Sequence, residues 1–328
     1  MTEENHLPIV ESDSAVGNRA AIYQKLDGAW GSNVGDQGYA DPYEVAERTF
    51  DAIYEPDAVD ARKRAADPGV DEAHLPSHQL RDKTRDLLAA PLTLQRDAPD
   101  RQQFVATVAE AILQKANVGS AVLPGAREQI AELTDNGDKP AIWSAGYPEH
   151  QHRKLGKTGL HDSLLIAAID PPVEISQEHG APIELQTAIA TDKTTRETFD
   201  RVHEIAGNNQ VVVVDDRVRN LRAFMENVPE TRAAIWVQYG AHAQKEMDKL
   251  ARGENPQLAT AIAEGNIIPI ADISMLADKI ESLRDTGILS DDVAAIFFDY
   301  DDTLSNNANR RKLELEAAVD AMFESELV

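Results

Sequence analysis

The sequence predicts an α/β protein, in which a parallel β-sheet lies between layers of helices and a separate helical region precedes it. After Gly119 the chain contains short, continuously apolar runs, each separated from the next by enough residues for a helix or a long loop. Such runs are typical of strands that are buried on both faces of a sheet. Before Ala116 the apolar residues recur at helical spacing instead, and the length of 328 residues suggests two domains.

The N-terminal region, residues 1–118, is expected to be helical. Asp41, Pro42 and Glu44 form a start signal, with a carboxylate N-cap, a proline at the first helical position and a Glu three residues after the cap. A second helix is expected after Asp100. The predicted apolar faces are Val45, Ala46, Phe50 and Ile53 in the first helix, and Phe104, Val105, Val108, Ala111 and Ile112 in the second. Two tracts, 57–67 and 71–86, are polar nearly all round, so their helices should lie outside the core.

The region 119–305 contains six apolar runs that are the candidate strands of the sheet. They are residues 141–144, 164–169, 211–214, 234–237, 267–270 and 294–298. Their spacing leaves room for covering helices on both faces, which predicts a three-layer, Rossmann-like parallel sheet.

Charge and composition narrow the classes of function. Lys and Arg total 32 against 57 Asp and Glu, and the net charge of −25 opposes a broad electrostatic grip on nucleic acid or an anionic membrane. The chain has no Cys, which excludes disulfides, thiolate metal sites and a cysteine nucleophile. We find no signal-peptide pattern at the N-terminus and no apolar run near the roughly 18 residues of a membrane span, so a cytoplasmic protein without membrane contact is expected.

Chemically active side chains follow three of the apolar runs, and the carboxyl ends of parallel strands are where ligands bind. These residues are Ser144, which ends the first run and is followed by Ala145 and Gly146, Asp215 and Asp216 after 211–214, and Asp299, Asp301 and Thr303 after 294–298. Carboxylates this close together repel one another and need a cation, and an all-oxygen ligand set favours Mg²⁺. Lys193 is predicted in the first turn of a helix, where a cation opposes the helix dipole; such conflicts tend to mark functional positions.

Taken together, these residues resemble the four motifs of the haloacid-dehalogenase-like (HAD) phosphohydrolase superfamily. The motifs are Asp-x-Asp-x-Thr at 299–303, Ser144, Lys193 and the Asp-Asp pair at 215–216. The resemblance covers about Leu123 to Leu304 and includes Leu123-Pro-Gly-Ala126 and the segment 234–240. In that family the Asp-x-Asp motif comes first, whereas here it comes last, which looks like a circular permutation.

The permutation has two structural consequences. The strand 294–298 must insert beside 211–214 in the middle of the sheet, although it is the last strand of the chain. Residues 1–118, joined by 306–328, would form a helical cap split across the two chain ends, while 119–305 would be the catalytic core. An unrelated appended helical domain is the alternative to a cap.

The resemblance also implies an activity, namely Mg²⁺-dependent hydrolysis of a phosphomonoester through an aspartyl-phosphate. Asp299 would be the nucleophile, and Asp301 would protonate the leaving oxygen and later take a proton from water. Thr303 and Ser144 would hydrogen-bond the phosphoryl oxygens, and Lys193 would offset negative charge.

The metal ligands implied by the resemblance are Asp215, Asp299 and the backbone carbonyl of Asp301. Asp216 would hold a metal-bound water or orient Lys193. Ala145 and Gly146 are expected beside the substrate with Ser144, and Asp302 is expected to be a solvated turn residue.

Alternative substrates and functions remain open. A small-molecule phosphoester is the expected substrate, but a phosphomutase would use the same residues. Arg310, eleven residues after Asp299, and Arg217 resemble features of the phosphatase half of polynucleotide kinase-phosphatases, which indicates a nucleic-acid-end (3′) phosphatase as another alternative. An anion-binding rim would then consist of Arg217, Arg219, Arg310, Arg311 and Lys312. A non-enzymatic α/β interaction module is the remaining alternative, and the sequence does not predict the oligomeric state.

Overall fold

The computed structural model describes residues 13–31, 42–55, 98–169, 172–178 and 180–328. The chain divides into two compact units, one formed by Met1–Ala116 with Glu314–Val328 and the other by Asn117–Leu313. The sheet unit therefore begins two residues before the boundary expected from the sequence, and it keeps residues 306–313. The two polar tracts expected to be helical, 57–67 and 71–86, lie outside the described residues.

The secondary-structure elements of the described residues are numbered here in chain order. The helices are α1 (Asp13–Gly31), α2 (Pro42–Tyr54), α3 (Arg101–Glu110), α4 (Ala126–Asp135), α5 (Pro148–Lys157), α6 (Ser163–Ile166), α7 (Arg196–Ala206), α8 (Val218–Asn227), α9 (Gly240–Ala251), α10 (Pro256–Ala263), α11 (Leu276–Asp285) and α12 (Asn307–Glu324). The strands are β1 (Lys139–Ala145), β2 (Leu160–His161), β3 (Ile183–Glu184), β4 (Gln186–Ala190), β5 (Gln210–Asp215), β6 (Thr231–Val237), β7 (Ile267–Ile270) and β8 (Ala294–Phe298).

The helical unit confirms both predicted helix starts. Helix α2 begins at Pro42, although its expected cap, Asp41, lies outside the described residues. Helix α3 begins after Asp100, whose side chain accepts a hydrogen bond from the Gln103 N–H at 2.8 Å. The core of this unit brings the predicted apolar faces together with residues of α1 and of the C-terminal part of α12: Ile22, Leu26, Val45, Ala46, Phe50, Ile53, Phe104, Val108, Ile112, Leu315, Val319 and Met322.

The sheet unit is a parallel sheet whose described strands run in the order β4-β1-β8-β5-β6-β7. Strand β8 pairs in parallel with β1 on one side and with β5 on the other. Phe298 is opposite Ile142 of β1 and Val214 of β5. The prediction that the last strand of the chain inserts beside 211–214, in the middle of the sheet, is confirmed.

Alternate residues of each strand face two separate apolar layers, so both faces of the sheet are covered by helices. One layer contains Val212, Ile296 and Phe298 with residues of α4 and α11. The other contains Val211, Val213 and Phe297 with residues of α7 and α8. This arrangement is the predicted three-layer α/β fold.

One predicted strand is wrong. Residues 164–169 begin in the short helix α6, because the Asp162 side chain caps this turn by accepting from Leu164 N and Leu165 N at 3.1 and 3.3 Å. Leu164 is 82% exposed, so this apolar run is not a buried strand. The sixth strand of the sheet is instead β4, an edge strand in which Ala188 is buried but Ile189 and Ala190 are only partly buried.

Candidate functional site at the carboxyl edge of the sheet

The carboxyl ends of β8 and β5 bring three acidic side chains together. Because Phe298 and Val214 are paired, the residues that follow them, Asp299 and Asp215, are neighbours, and Asp299 N donates to Val214 O at 3.0 Å. Asp216 completes the group: one carboxylate oxygen from each of the three residues lies within 4.8 Å of the others. All three side chains are buried. This group is called the carboxylate cluster below.

Lys193 lies between two carboxylates of this cluster. Its Nζ is 2.6 Å from Asp215 Oδ2 and 2.8 Å from Asp299 Oδ1, and the residue is only 4% exposed. Burial by itself lowers the pKa of Lys193, but the two carboxylates outweigh it and the pKa is raised. Lys193 therefore remains a cation inside the protein.

The sequence placed Lys193 correctly at the site but wrongly in a helix. Helix α7 begins at Arg196 with Thr195 as its N-cap, so Lys193 lies in the preceding turn and not in the first turn of the helix. Trp143 of β1 fixes this turn, because its Nε1–H donates to Lys193 O at 3.0 Å. The Lys193 ammonium is 4.3 Å from the centre of the Trp143 ring, a favourable cation–π contact.

Asp215 is held by donors on both of its carboxylate oxygens. Oδ1 accepts from Arg217 N at 2.7 Å, and the Asn220 side-chain amide lies 3.2 Å from Oδ1 and 3.1 Å from Oδ2. Asn220 is buried in the first turn of α8 and was not identified from the sequence. Together with Lys193, these donors fix the orientation of the Asp215 carboxylate.

Asp216 is fully buried, yet neither of its carboxylate oxygens has a hydrogen-bond partner among the described residues. Burial, together with the charges of Asp215 and Asp299, raises the pKa of Asp216 well above its usual value. The expectation that Asp216 orients Lys193 is wrong, because Lys193 contacts Asp215 and Asp299 instead. A buried carboxyl without a donor needs a ligand, a proton or a cation to offset its burial.

Asp299 differs from Asp216 because Lys193 partly neutralises it. Burial raises the pKa of Asp299 to about 6, Lys193 opposes this shift, and Asp215 and Asp301 add to it. The carboxylate cluster is thus short of positive charge.

The carboxylate cluster fits a divalent metal ion. Three buried carboxyl groups converge, and the two oxygens of Asp216 have no partner among the described residues. Hard cations such as Mg²⁺ prefer oxygen ligands of this kind. Asp215, Asp216 and Asp299 are therefore the residues that could hold such an ion.

The Asp301 side chain points to two cations instead of joining the carboxylate cluster. Its Oδ2 is 3.5 Å from Lys154 Nζ, and its Oδ1 is 3.1 Å from Arg310 Nε. Arg310 is only 2% exposed, so its expected place in a surface rim is wrong. Lys154, on α5, is equally buried and was not identified from the sequence.

Thr303 and Asp302 hold the loop after β8 in shape. The Thr303 hydroxyl, fully buried, accepts from Asp216 N at 3.1 Å. Asp302 has a positive φ of 58° and caps α12, accepting from Asn307 N at 3.1 Å. Since Asp302 is 8% exposed, the expectation of a solvated turn residue is wrong. Gly240 is required beside it, because a Cβ there would lie 2.7 Å from Asp302 Cγ.

The segment Ser144 to Gly146 lies at the end of β1, next to β8. Ala145 O accepts from Gln151 Nε2 at 2.7 Å, and Gly146 N donates to Ala190 O at 2.9 Å. The Ser144 hydroxyl is buried and has no hydrogen-bond partner among the described residues. Its hydrogen-bonding capacity is therefore unused among the described residues.

Arg217 follows Asp215 and Asp216 at the end of β5 and is half-buried. It opposes the rise in the pKa of Asp216 and of Asp302, which places its positive charge near both carboxyl groups. Arg217 is thus at the expected edge of the site.

No family model matches the chain, and no solved structure matches it. Among the described residues, every helix is too short or too polar to cross a membrane. The class of protein is therefore defined by its own geometry: a three-layer α/β protein with a buried carboxylate–lysine site at the carboxyl edge of its sheet.

Proposed function

We propose that this protein is a Mg²⁺-dependent phosphohydrolase that acts on phosphomonoesters, and that it is a circularly permuted member of the HAD superfamily. The observation that carries the proposal is the position of Asp299. It follows the central strand, lies 2.8 Å from the Lys193 ammonium, and shares the carboxylate cluster with Asp215 and Asp216. A nucleophilic carboxylate, a fixed cation and a metal-binding group are the parts that phosphoryl transfer requires.

In the first step, an oxygen of Asp299 attacks phosphorus while the bond from phosphorus to the leaving oxygen breaks. Asp301 gives its proton to that oxygen, and the alcohol departs. The Lys193 ammonium and the Ser144 hydroxyl supply positive charge and a hydrogen bond to the phosphoryl oxygens. The product is an aspartyl-phosphate on Asp299.

In the second step, water attacks phosphorus of the aspartyl-phosphate. Asp301 takes the proton of that water, Asp299 leaves as a carboxylate, and inorganic phosphate is released. Each group is then back in its starting protonation state. The two buried positions of Asp299 and Asp301 suit this division of roles, because each is contacted by different cations.

Asp215, Asp216 and Asp299 would hold Mg²⁺ at this site, with the backbone carbonyl of Asp301 as a further ligand. When bound, Mg²⁺ supplies charge stabilisation for the phosphoryl group. The protein's own contribution is to hold the three carboxylates together and to keep Asp215 oriented through Asn220 and Lys193.

A small-molecule phosphoester suits the protein better than a nucleic-acid end. The net charge of −25 repels a polyanion, and Arg310 contacts Asp301 and is buried. The surface rim that supported a nucleic-acid substrate therefore loses Arg310.

The test is a screen of phosphate release from sugar, nucleotide, amino-acid and nucleic-acid-end phosphates with MgCl₂, repeated in EDTA. We expect release from at least one small phosphomonoester, and none in EDTA. Phosphoryl transfer between two hydroxyls without phosphate release would identify a mutase instead. Inactivity on the whole panel would contradict the proposal and favour a binding protein.

A further inference from the structure

We propose that Lys154 and Arg310 are positioning residues that hold the Asp301 carboxyl group for proton transfer to the leaving oxygen. This inference rests on the proposed function. It assigns a purpose to two buried cations that the catalytic scheme above does not use. Neither residue needs to touch the substrate, because both act through Asp301.

The contacts of Asp301 engage its two oxygens separately. Lys154 Nζ approaches Oδ2 at 3.5 Å, and Arg310 Nε approaches Oδ1 at 3.1 Å. All three side chains are at most 2% exposed. Each oxygen of the carboxyl group therefore faces a different cation, which favours one orientation of the group.

The two cations lie on different helices, one before and one after β8 in the chain. Lys154 lies on α5, the helix that follows β1, and its ammonium is 5.2 Å from the centre of the Tyr300 ring. Arg310 lies in the first turn of α12, where its backbone N–H donates to Asn306 O at 2.9 Å and its guanidinium donates to the Asn307 side chain. Asp301 is therefore contacted by cations from two different helices, α5 and α12.

Stability alone does not account for this arrangement. Ionic groups lose their hydration when they are buried, and apolar side chains of similar size often stabilise a protein as well or better. A function in proton transfer does account for it. When Asp301 gives up its proton, a negative charge appears on its carboxyl group, and Lys154 and Arg310 lie where they stabilise that charge.

This role predicts a dependence on the leaving group. Benzyl phosphate has a basic leaving oxygen that needs the proton of Asp301. The leaving group of 4-nitrophenyl phosphate is 4-nitrophenolate, which is weakly basic and departs readily without a proton. The ratio kcat/KM reports the steps up to formation of the aspartyl-phosphate. A general acid typically accelerates such a step by about 10²–10⁴-fold. A general acid that is no longer held in position should therefore lower kcat/KM for benzyl phosphate by about tenfold or more.

The experiment measures kcat/KM for both esters with MgCl₂ in wild type, Lys154→Met, Arg310→Met and Asp301→Asn. We expect each Met variant to lose at least about tenfold more activity on benzyl phosphate than on 4-nitrophenyl phosphate, in the same direction as Asp301→Asn. Lys154→Arg and Arg310→Lys should restore part of the difference, because they keep the charge. The comparison of two substrates within one variant does not depend on the fraction of protein that is folded.

Arg284→Met is the matched control. Arg284 also pairs with a buried aspartate, Asp138, at 2.5 Å, but Asp138 accepts a hydrogen bond from Ala294 N at the opposite, amino edge of the sheet. This variant should lower stability without changing the ratio of the two substrates. Equal losses on both esters in the Met variants, or no loss, would overturn the inference while leaving the proposed function intact. A wild-type protein that releases phosphate from neither ester, nor from any phosphomonoester of the panel above, would overturn both.

Discussion

The Thr303 hydroxyl accepts a hydrogen bond from the backbone N–H of Asp216 at 3.1 Å, which joins the loop after β8 to the end of β5. Thr303 is fully buried. Its first role is therefore to hold Asp216 beside Asp299, and any bond to a phosphoryl group would have to come from the hydroxyl hydrogen. This contact therefore connects the part of the carboxylate cluster at the end of β5, Asp215 and Asp216, to the loop that carries Asp299.

Thr303→Val should destabilise the protein. Valine has the shape of threonine but no acceptor, so the buried Asp216 N–H loses its partner, at a cost of about 1–3 kcal/mol. Thr303→Ser keeps the acceptor and should cost less. Denaturant unfolding of the three proteins measures the difference, and a Val variant as stable as wild type would contradict the structural role.

Mg²⁺ should raise the melting temperature, because an ion that binds only the folded state stabilises it by mass action. Asp215→Asn removes one of the three carboxylates and should reduce this shift. Asp285→Asn, which changes an exposed carboxylate on α11, is the control and should keep it. An unchanged melting temperature in millimolar MgCl₂ would count against the carboxylate cluster as a metal site.

Asn220→Leu should weaken Mg²⁺ binding. The Asn220 amide bonds both oxygens of Asp215, and residues that orient a metal ligand typically contribute about 10–100-fold to affinity or activity. Asn227→Leu is a matched control on the same helix, because the Asn227 amide bonds Ala223 O and is exposed. Titration of the thermal shift with MgCl₂ compares the two, and equal affinities would argue against this role.

The metal-free protein should lose stability as the pH rises through the titration of Asp299. Burial raises the pKa of Asp299 from 3.8 to about 6, so folding favours the protonated carboxyl. Its contribution to stability is complete below the unfolded value and is lost by about pH 6. We therefore compare the free energies of unfolding of Asp299→Asn and wild type in EDTA. From about pH 4 to pH 7 the difference should change in favour of the variant by on the order of 3 kcal/mol.

The free energy of unfolding of both proteins, measured across this range, tests that prediction. Added Mg²⁺ should reduce the difference, because a cation stabilises the ionised carboxylate. Parallel pH curves for wild type and Asp299→Asn in EDTA would contradict the pKa of about 6.

The strands of this fold were predictable where both faces of the sheet are covered. Residues 211–214 and 294–298 are apolar at every position and lie at the centre of the sheet. Strand β4 was missed because an edge strand is only partly buried and need not be continuously apolar. Residues 164–169 were wrongly predicted as a strand because Asp162 caps a short helix there, in which Leu164 and Leu165 are exposed and only Ile166 is buried.

The candidate site was predictable only in part. Asp215, Asp216 and Asp299 were found because each follows an apolar strand, and parallel strands end at one edge. Lys154 and Asn220 were missed because they lie on helices, and nothing local in the sequence distinguishes a helix residue that faces the site from one in solvent. Their partners are distant in the chain, as with Lys154 and Asp301.

The most direct measurement of the central claim is the location of the phosphoryl group during turnover. The protein would be mixed with a phosphomonoester that it hydrolyses and MgCl₂, quenched in acid, digested and analysed by mass spectrometry. We expect a phosphorylated peptide with the group on Asp299, and neither phosphopeptide nor phosphate release in Asp299→Asn. Phosphate release without modification of Asp299, or full activity of Asp299→Asn, would contradict the account.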